Sequence, residues 1–229
     1  MPLAGPDWPA ALAALSFLKP PFFETARAIV FISLDGIDGV GKSTQIALLV
    51  DWLRAAGADV VTCRDPGSTP LGEAVRQILL HTGGTPISRT AEMLLYMAAR
   101  AQLVAEVIQP ALAAGKTVVS DRYLLANVVY QGHAGGLDVD ELWRIGRVAT
   151  AGLAPTLTIV LDMPPAAAGA RMNRPLDRME SQGDAFRERL RQGFLAEAAR
   201  RPDDCVVIAA DRDIATVHAE IRQAVERLR

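Results

Sequence analysis

An apolar stretch, Ala28 to Asp35 (AIVFISLD), runs directly into Gly36-Ile37-Asp38-Gly39-Val40-Gly41-Lys42-Ser43, and a segment of helical period starts at Ser43. The order strand, G-x-x-x-x-G-K-[ST], helix leaves the rest of the chain little freedom. Glycines allow successive backbone N–H groups to converge on one point, and the start of a helix adds unpaired N–H donors and a partial positive charge. Such a loop suits phosphate oxygens: Lys42 reaches the β and γ phosphates of a nucleotide, and Ser43 offers a hydroxyl to Mg²⁺. A glycine-rich turn that merely joins a strand to a helix is the alternative.

The remainder of the chain agrees with that beginning. Short runs rich in Val and Ile recur at Asp59 to Arg64, Thr117 to Asp121, Thr156 to Asp162 and Cys205 to Ala209. Helical periodicity fills the gaps at Ser43 to Ala56, Leu71 to His81, Ser88 to Ala114, Leu124 to Gly132, Asp138 to Ala151 and Asp184 to Arg200, with a last helix at Asp213 to Leu228. Strands that are apolar on both faces and separated by helices imply an α/β fold with a parallel sheet covered on both sides. At 229 residues and 50% hydrophobic composition, one domain can bury a sizeable core. Pro20 and Pro21 set off the leading segment, so residues 1–27 are expected to form an appended arm and residues 28–229 the domain.

Charge narrows the partners. A formal net charge of −2 gives no surface-wide attraction for nucleic acid or anionic lipid, so an anionic ligand needs a local basic cluster. Apolar runs such as Leu157 to Leu161 fall far short of the roughly 20 residues of a membrane-spanning helix. No charged front end of a signal peptide precedes the apolar stretch from Pro9 to Leu18, and two cysteines, Cys63 and Cys205, suit a reducing compartment. A cytoplasmic protein is expected.

Basic and polar residues gather at the predicted strand ends. The second strand runs into Arg64-Asp65-Pro66-Gly67-Ser68-Thr69-Pro70, which puts a guanidinium at the carboxyl edge, where parallel sheets bind ligands. The third ends in Asp121-Arg122-Tyr123, one acid and one base where metal and phosphate would meet. Tyr96 and Arg100 stand four apart on a helix, so an aromatic plane and a forked donor share one face and suit a stacked, hydrogen-bonded base. Asn127, Tyr130 and Gln131 follow on a short helix, and Asp162 ends the fourth strand as a weaker candidate. Arg171, Arg174, Arg178, Arg187, Arg189 and Arg191 accumulate between Met163 and Gln192, either as a solvated helical face or as a functional cluster.

Taken together, the motifs DGIDGVGKST, RDPGSTPLGE, LLYMAARAQ, VVSDRY, NVVYQG and LDRMESQGDAF resemble the thymidylate (dTMP) kinase family from about Val30 to the C-terminus. The resemblance implies a doubly wound five-stranded parallel sheet of P-loop NTPase type, order 2-3-1-4-5 with helices on both faces, usually in a homodimer, and transfer of phosphate from Mg·ATP to dTMP, giving dTDP. It implies that Gly36 to Thr44 form the ATP loop, with Lys42, Ser43 and Thr44 on phosphates and metal. It places Asp38 on the deoxyribose 3′-hydroxyl, Arg64 and Arg122 on the dTMP phosphate, and Asp121 beside the metal and the acceptor. Tyr96 would stack on thymine, Arg100 would meet its O4 edge, Asn127 would face the base, Tyr130 would lie near C2′, and Gln131 would also bind the substrate. Some family members carry an arginine directly after the loop's Asp; Gly39 stands there, so the catalytic charge is expected from a lid over about 164–183, through Arg174 or Arg178. Ser68 and Ala126 depart from the family's usual Gly and Ser or Thr. A kinase for another nucleoside monophosphate or a deoxynucleoside, and a non-catalytic ATP-binding switch, are the competing readings.

Overall fold

The computed structural model describes residues 30–80, 86–172 and 183–228. The expected N-terminal arm, His81, and the middle of the expected lid with Arg174 and Arg178 lie outside the described residues. Five strands, β1 (Phe31–Asp35), β2 (Val60–Arg64), β3 (Thr117–Asp121), β4 (Leu157–Asp162) and β5 (Cys205–Ala209), pair in parallel in the order β2-β3-β1-β4-β5. The order and direction are those the resemblance implies.

Sequence pattern explains the placing of each strand. Every residue of β1 is buried, as suits a central strand, whereas the edge strands β2 and β5 alternate buried and more exposed positions. Along β1 the side chains divide between two apolar clusters: Phe31 joins Val118, Met93 and Leu103, while Ile32 and Leu34 join Val119, Leu49 and Ile221. That is the period of two expected for a sheet with helices on both faces. Each fully buried Leu or Ile contributes about 1.5–3 kcal/mol through removal from water.

The helices are α1 (Lys42–Ala55), α2 (Pro70–Leu80), α3 (Arg89–Leu103), α4 (Gln109–Ala113), α5 (Leu124–Asn127), α6 (Val139–Ala149), α7 (Pro165–Ala170), α8 (Asp184–Arg200) and α9 (Ile214–Glu226). Ser88, Asp138 and Asp213 cap α3, α6 and α9 by accepting the N–H of Ala91, Glu141 and Thr216. Each such cap contributes about 1 kcal/mol.

Two predicted helices are not uniform. The long segment from Ser88 passes through a π-helical turn at Val104–Ile108, just before Pro110. A proline inside a helix lacks its N–H and crowds the carbonyl four residues back, and a wider turn relieves both. The segment from Leu124 is α-helical only to Asn127 and continues as a π-helical stretch, Val128–His133. Cys63 and Cys205 are free and buried on the opposite edge strands. Burial pushes their thiols up to about 11 and about 12.

Candidate active site

The parallel register brings the carboxyl ends of the strands to one edge: Arg64 pairs with Asp121, and Asp121 with Leu34, one residue before Asp35. The phosphate loop rises from this edge. Gly41 begins α1 at φ +97° with no side-chain cap, and the first turn of α1 holds no acidic residue. Nothing in that turn competes with an anion for its N–H donors. The exposed side chains of Ser43 and Thr44 border the adjoining cavity.

Lys42 is buried and donates to the carbonyls of Gly36 (3.1 Å) and Ile37 (2.8 Å), with Asp38 Oδ1 at 3.5 Å. Burial lowers its pKa, aided by the Arg122 charge and opposed by Asp38, Asp121 and Asp35. Gly39, at φ +89°, admits no side chain: a Cβ there would lie 2.2 Å from the carbonyl oxygen of Ala168 in α7. The helix leading into the expected lid therefore packs directly on the phosphate loop.

Arg122 is the second cation at the loop. Its backbone lies in the left-handed region at φ 68°, a conformation that costs a non-glycine residue about 1 kcal/mol or more. Two bonds hold it there, from Arg122 N to Leu34 O (3.0 Å) and from Ser120 Oγ to Arg122 O (2.6 Å). Its guanidinium donates to Gly36 O (3.0 Å), Asp38 Oδ1 (2.7 Å) and Tyr130 Oη (3.1 Å), and stands 5.0 Å from the Tyr130 ring centroid. Tyr130 donates its hydroxyl to Asp38 Oδ2 (3.0 Å), and burial raises its pKa well above the ordinary value. Burial acts to raise Asp38 as well, but Arg122, Lys42 and the Tyr130 hydroxyl together outweigh it and hold that carboxyl well below the usual range. Asp35 goes the other way: burial raises it to about 6 despite a bond from Ser33.

Lys42, Asp38, Arg122 and Tyr130 line one cavity of about 1140 Å³, larger than most single-ligand pockets. Of the predicted residues, Asp38 to Thr44, Arg64, Tyr96, Arg100, Asp121, Arg122, Asn127, Tyr130 and Gln131 border it, while Gly36 and Ile37 lie behind and offer carbonyls to Lys42. Asp162 does not line it and is held in a two-point ion pair by Arg191 (2.7 and 2.9 Å). Arg64 also has a partner, Glu73, at 2.9 and 3.1 Å. Both side chains are over 40% exposed, so the pair contributes little and is readily exchanged for another anion. Ser68 closes the turn after Arg64: at φ 63° its hydroxyl accepts from Arg64 N (2.8 Å) and its own N–H donates to Glu73 (2.8 Å).

Several lining residues escaped the sequence reading. Asp65 accepts from Arg100 Nε at 2.5 Å, deep in the wall, and Arg76 adds a guanidinium that donates to Pro66 O at 3.2 Å. The opposite end of the cavity is closed by the loop after β5: Arg171 donates to Ala210 O (3.1 Å) and Gln45 to Ile214 O (3.0 Å). Only Arg76 had a readable signal, a basic residue on the helix behind Arg64. Asp65 is recognisable only once Arg100 lies against it, and Gln45 and the loop after β5 only once α1 is beside that loop; Arg171 belongs to the arginine cluster already read from the sequence.

Residues 34–221 match the family model described as thymidylate kinase. The chain is 45% identical over 202 residues to the thymidylate kinase of Bifidobacterium longum (strain NCC 2705), covering 87% of this chain and 98% of that one. It is 46% identical over 186 residues to the thymidylate kinase of Desulforudis audaxviator (strain MP104C), covering 80% and 84%. Among solved structures, the thymidylate kinase of Ehrlichia chaffeensis is similar at a TM-score of 0.72 and 30% identity, over 87% of this chain and 99% of that one. With a loop, sheet order and matched length that all agree, the chain belongs to the thymidylate kinase family.

Proposed function

We propose that this protein phosphorylates dTMP to dTDP at the expense of ATP. One observation carries the reading: Lys42 from the phosphate loop and Arg122 from the end of β3 donate to the same carbonyl oxygen, that of Gly36, at 3.1 and 3.0 Å. Two cations from two different elements, both lining one cavity, are thus held side by side. A nucleotide held by the loop and a second phosphate held by Arg122 would meet there.

In this reading the loop from Gly36 to Thr44 holds the ATP phosphates and Lys42 neutralises the β and γ oxygens. Arg122 and Arg64 grip the acceptor phosphate, and Asp38 takes the sugar 3′-hydroxyl. Tyr130 packs at C2′, Tyr96 stacks on the base, and Arg100, Asn127 and Gln131 read its edge. An oxygen of the dTMP phosphate attacks the γ-phosphorus, and the bond from that phosphorus to the bridging oxygen of ADP breaks. The attacking phosphate is largely dianionic at neutral pH, so positioning and charge neutralisation supply the catalysis and no general base is needed.

Mg²⁺ fits the residues at the loop. Asp121 Oδ1 is buried without a hydrogen-bond partner, and the Ser43 hydroxyl is exposed at the head of α1. Held there, the ion would draw most of its remaining oxygen ligands from phosphates and water. Bound there, the ion would neutralise charge on the transferring phosphoryl group.

We read residues 28–229 as one kinase domain whose lid, over about 164–183, brings Arg174 or Arg178 to the γ-phosphate, with 1–27 as an appended arm. A homodimer is part of the same reading: Leu71 and Ile78 lie two turns apart on α2, Leu94 is on neighbouring α3, and each is about half exposed (47, 50 and 50%). Two buried free thiols suit the cytoplasm, and no helix among the described residues is long and apolar enough to cross a membrane. The test is ADP release in a coupled assay with dTMP, dUMP, UMP, CMP and thymidine. We expect dTMP to give the highest kcat/KM and thymidine none. Preference for another monophosphate, or turnover of thymidine, overturns the reading.

A further inference from the structure

Glu92, Tyr96 and Arg100 follow one another at four-residue steps along α3 and so share a face. From Arg100 a line of buried side chains runs back to Glu92 through a different element. Arg100 Nε donates to Asp65 Oδ2 (2.5 Å) and its Nη1 to Asn127 Oδ1 (2.9 Å). Asn127 Nδ2 donates to Gln131 Oε1 (2.6 Å), and Gln131 Nε2 donates to Glu92 Oε1 (2.8 Å). Arg100, Asn127, Gln131 and Glu92 are 1, 2, 2 and 8% exposed, so water has little room to replace a lost partner.

The order of bonds is not arbitrary. A side-chain amide carries a donor at one corner and an acceptor at the other, and its neighbours decide which way it turns. A guanidinium has only donors and a carboxylate offers acceptors. Asn127 must therefore turn its oxygen toward Arg100, and Gln131 must turn its NH₂ toward Glu92. Both ends demand the same direction, so the two amides between them are held in one sense.

We propose that Glu92 is a positioning residue that fixes the polarity with which Gln131 and Asn127 face the base, an inference that rests on reading the cavity as a dTMP site. Arg100, Asn127 and Gln131 line the cavity and Glu92 does not, so Glu92 acts through Gln131. Along the wall the groups run donor (Arg100), acceptor (Asn127 oxygen), donor (Asn127 NH₂). A base edge of carbonyl, ring N–H, carbonyl, as in thymine and uracil, complements that order. Cytosine brings an amino group and a bare ring nitrogen, which set donor against donor and acceptor against acceptor. A site that leaves buried polar groups so mismatched discriminates strongly.

The experiment compares Glu92→Met with Glu92→Gln, using steady-state kinetics on dTMP and dCMP with ATP varied separately. The methionine removes the acceptor at similar length, whereas the glutamine carbonyl still accepts from Gln131. For Glu92→Met we expect the dTMP KM to rise about tenfold, kcat and the ATP KM to stay within threefold, and the dTMP over dCMP ratio of kcat/KM to fall about tenfold. Glu92→Gln should stay within threefold of wild type in every parameter. A methionine variant with an unchanged ratio, or one that loses kcat and both KM values together, overturns the inference, as does a glutamine variant as impaired as the methionine one. Should Glu92→Met alone fail to fold, Glu92→Met/Gln131→Met removes both partners of that bond, and the Asn127 NH₂ loses its acceptor in the double variant just as it does in Gln131→Met alone. Its dTMP KM should match that of Gln131→Met alone, and a further tenfold rise contradicts action through Gln131. Wild-type protein that does not use dTMP removes the proposed function and this inference together; wild type that prefers dTMP, with a methionine variant equally selective, removes only the inference.

Discussion

Replacing Tyr130 with alanine should open the acceptor end of the cavity to ribose. The ring is half-buried beneath the Arg122 guanidinium and packs edge-on against Phe186 and Phe194 at 6.4 Å each, which holds it in place. Its hydroxyl is already committed to Asp38 and Arg122, at 3.0 and 3.1 Å. A 2′-hydroxyl placed against this ring gains no partner, and burying it unpaired costs about 1–3 kcal/mol, a factor of about 5–150 in kcat/KM. Matched kinetics with dUMP and UMP, which differ only in that hydroxyl, isolate the term. Tyr130→Ala should bring the two substrates to within a few-fold of each other. Tyr130→Phe keeps the ring and should keep the gap, while the lost bond to the part-buried Asp38 carboxylate lowers both substrates alike by about tenfold, at the low end of a charged hydrogen bond. If alanine lowers dUMP and UMP in equal proportion, Tyr130 is a packing residue and the sugar selection lies elsewhere.

Lys42→Ala should lower kcat at least about a hundredfold with an unchanged circular dichroism spectrum, since its loss removes a phosphate contact and no core packing. Alanine at Arg174 or Arg178 should lower kcat by a factor of order 10³ with little change in either KM, whereas Arg171→Ala, which frees the loop at Ala210, should raise the ATP KM; lid variants within twofold of wild type contradict the assignment. Asp35, raised by burial from 3.8 to about 6, contributes stability that is fully present below about pH 4 and is lost as pH rises through about 6. The shift corresponds to about 3 kcal/mol, so in urea titrations Asp35→Asn should lose stability relative to wild type less steeply between pH 4 and pH 7; a parallel decline in both proteins refutes it.

Much of this architecture is legible in the residues because local signals and burial agree. Val- and Ile-rich runs with apolar residues on both faces can be buried only in a covered parallel sheet, and Ser88, Asp138 and Asp213 mark helix starts by chemistry that needs no tertiary partner. The loop at Gly36 and the Asp121-Arg122 pair are equally plain, since strand ends meet at one edge in any such sheet. What the sequence conceals is pairing across elements. Arg64 reads as a phosphate ligand, but its exposed partner Glu73 is nine residues away on α2; Arg100 reads as a base contact, and the carboxylate that aims it, Asp65, sits 35 residues earlier. The π-helical turns were illegible for another reason, because a period of 3.6 and a wider one cannot be told apart within a single turn. Gly39 shows both limits at once: its missing side chain is evident, but the carbonyl of Ala168 that excludes any other residue is not.

Lys42 and Arg122 are placed to serve the transfer of a phosphoryl group between two nucleotides held in one cavity. The most direct measurement follows the γ-phosphate itself: ATP labelled at that position is mixed with dTMP and the wild-type protein, and the labelled products are separated. Label should appear in dTDP in equal amount to the ADP formed, and no labelled dTDP should form when dTMP is replaced by thymidine. Label released as inorganic phosphate at a rate that dTMP does not change would contradict transfer to dTMP.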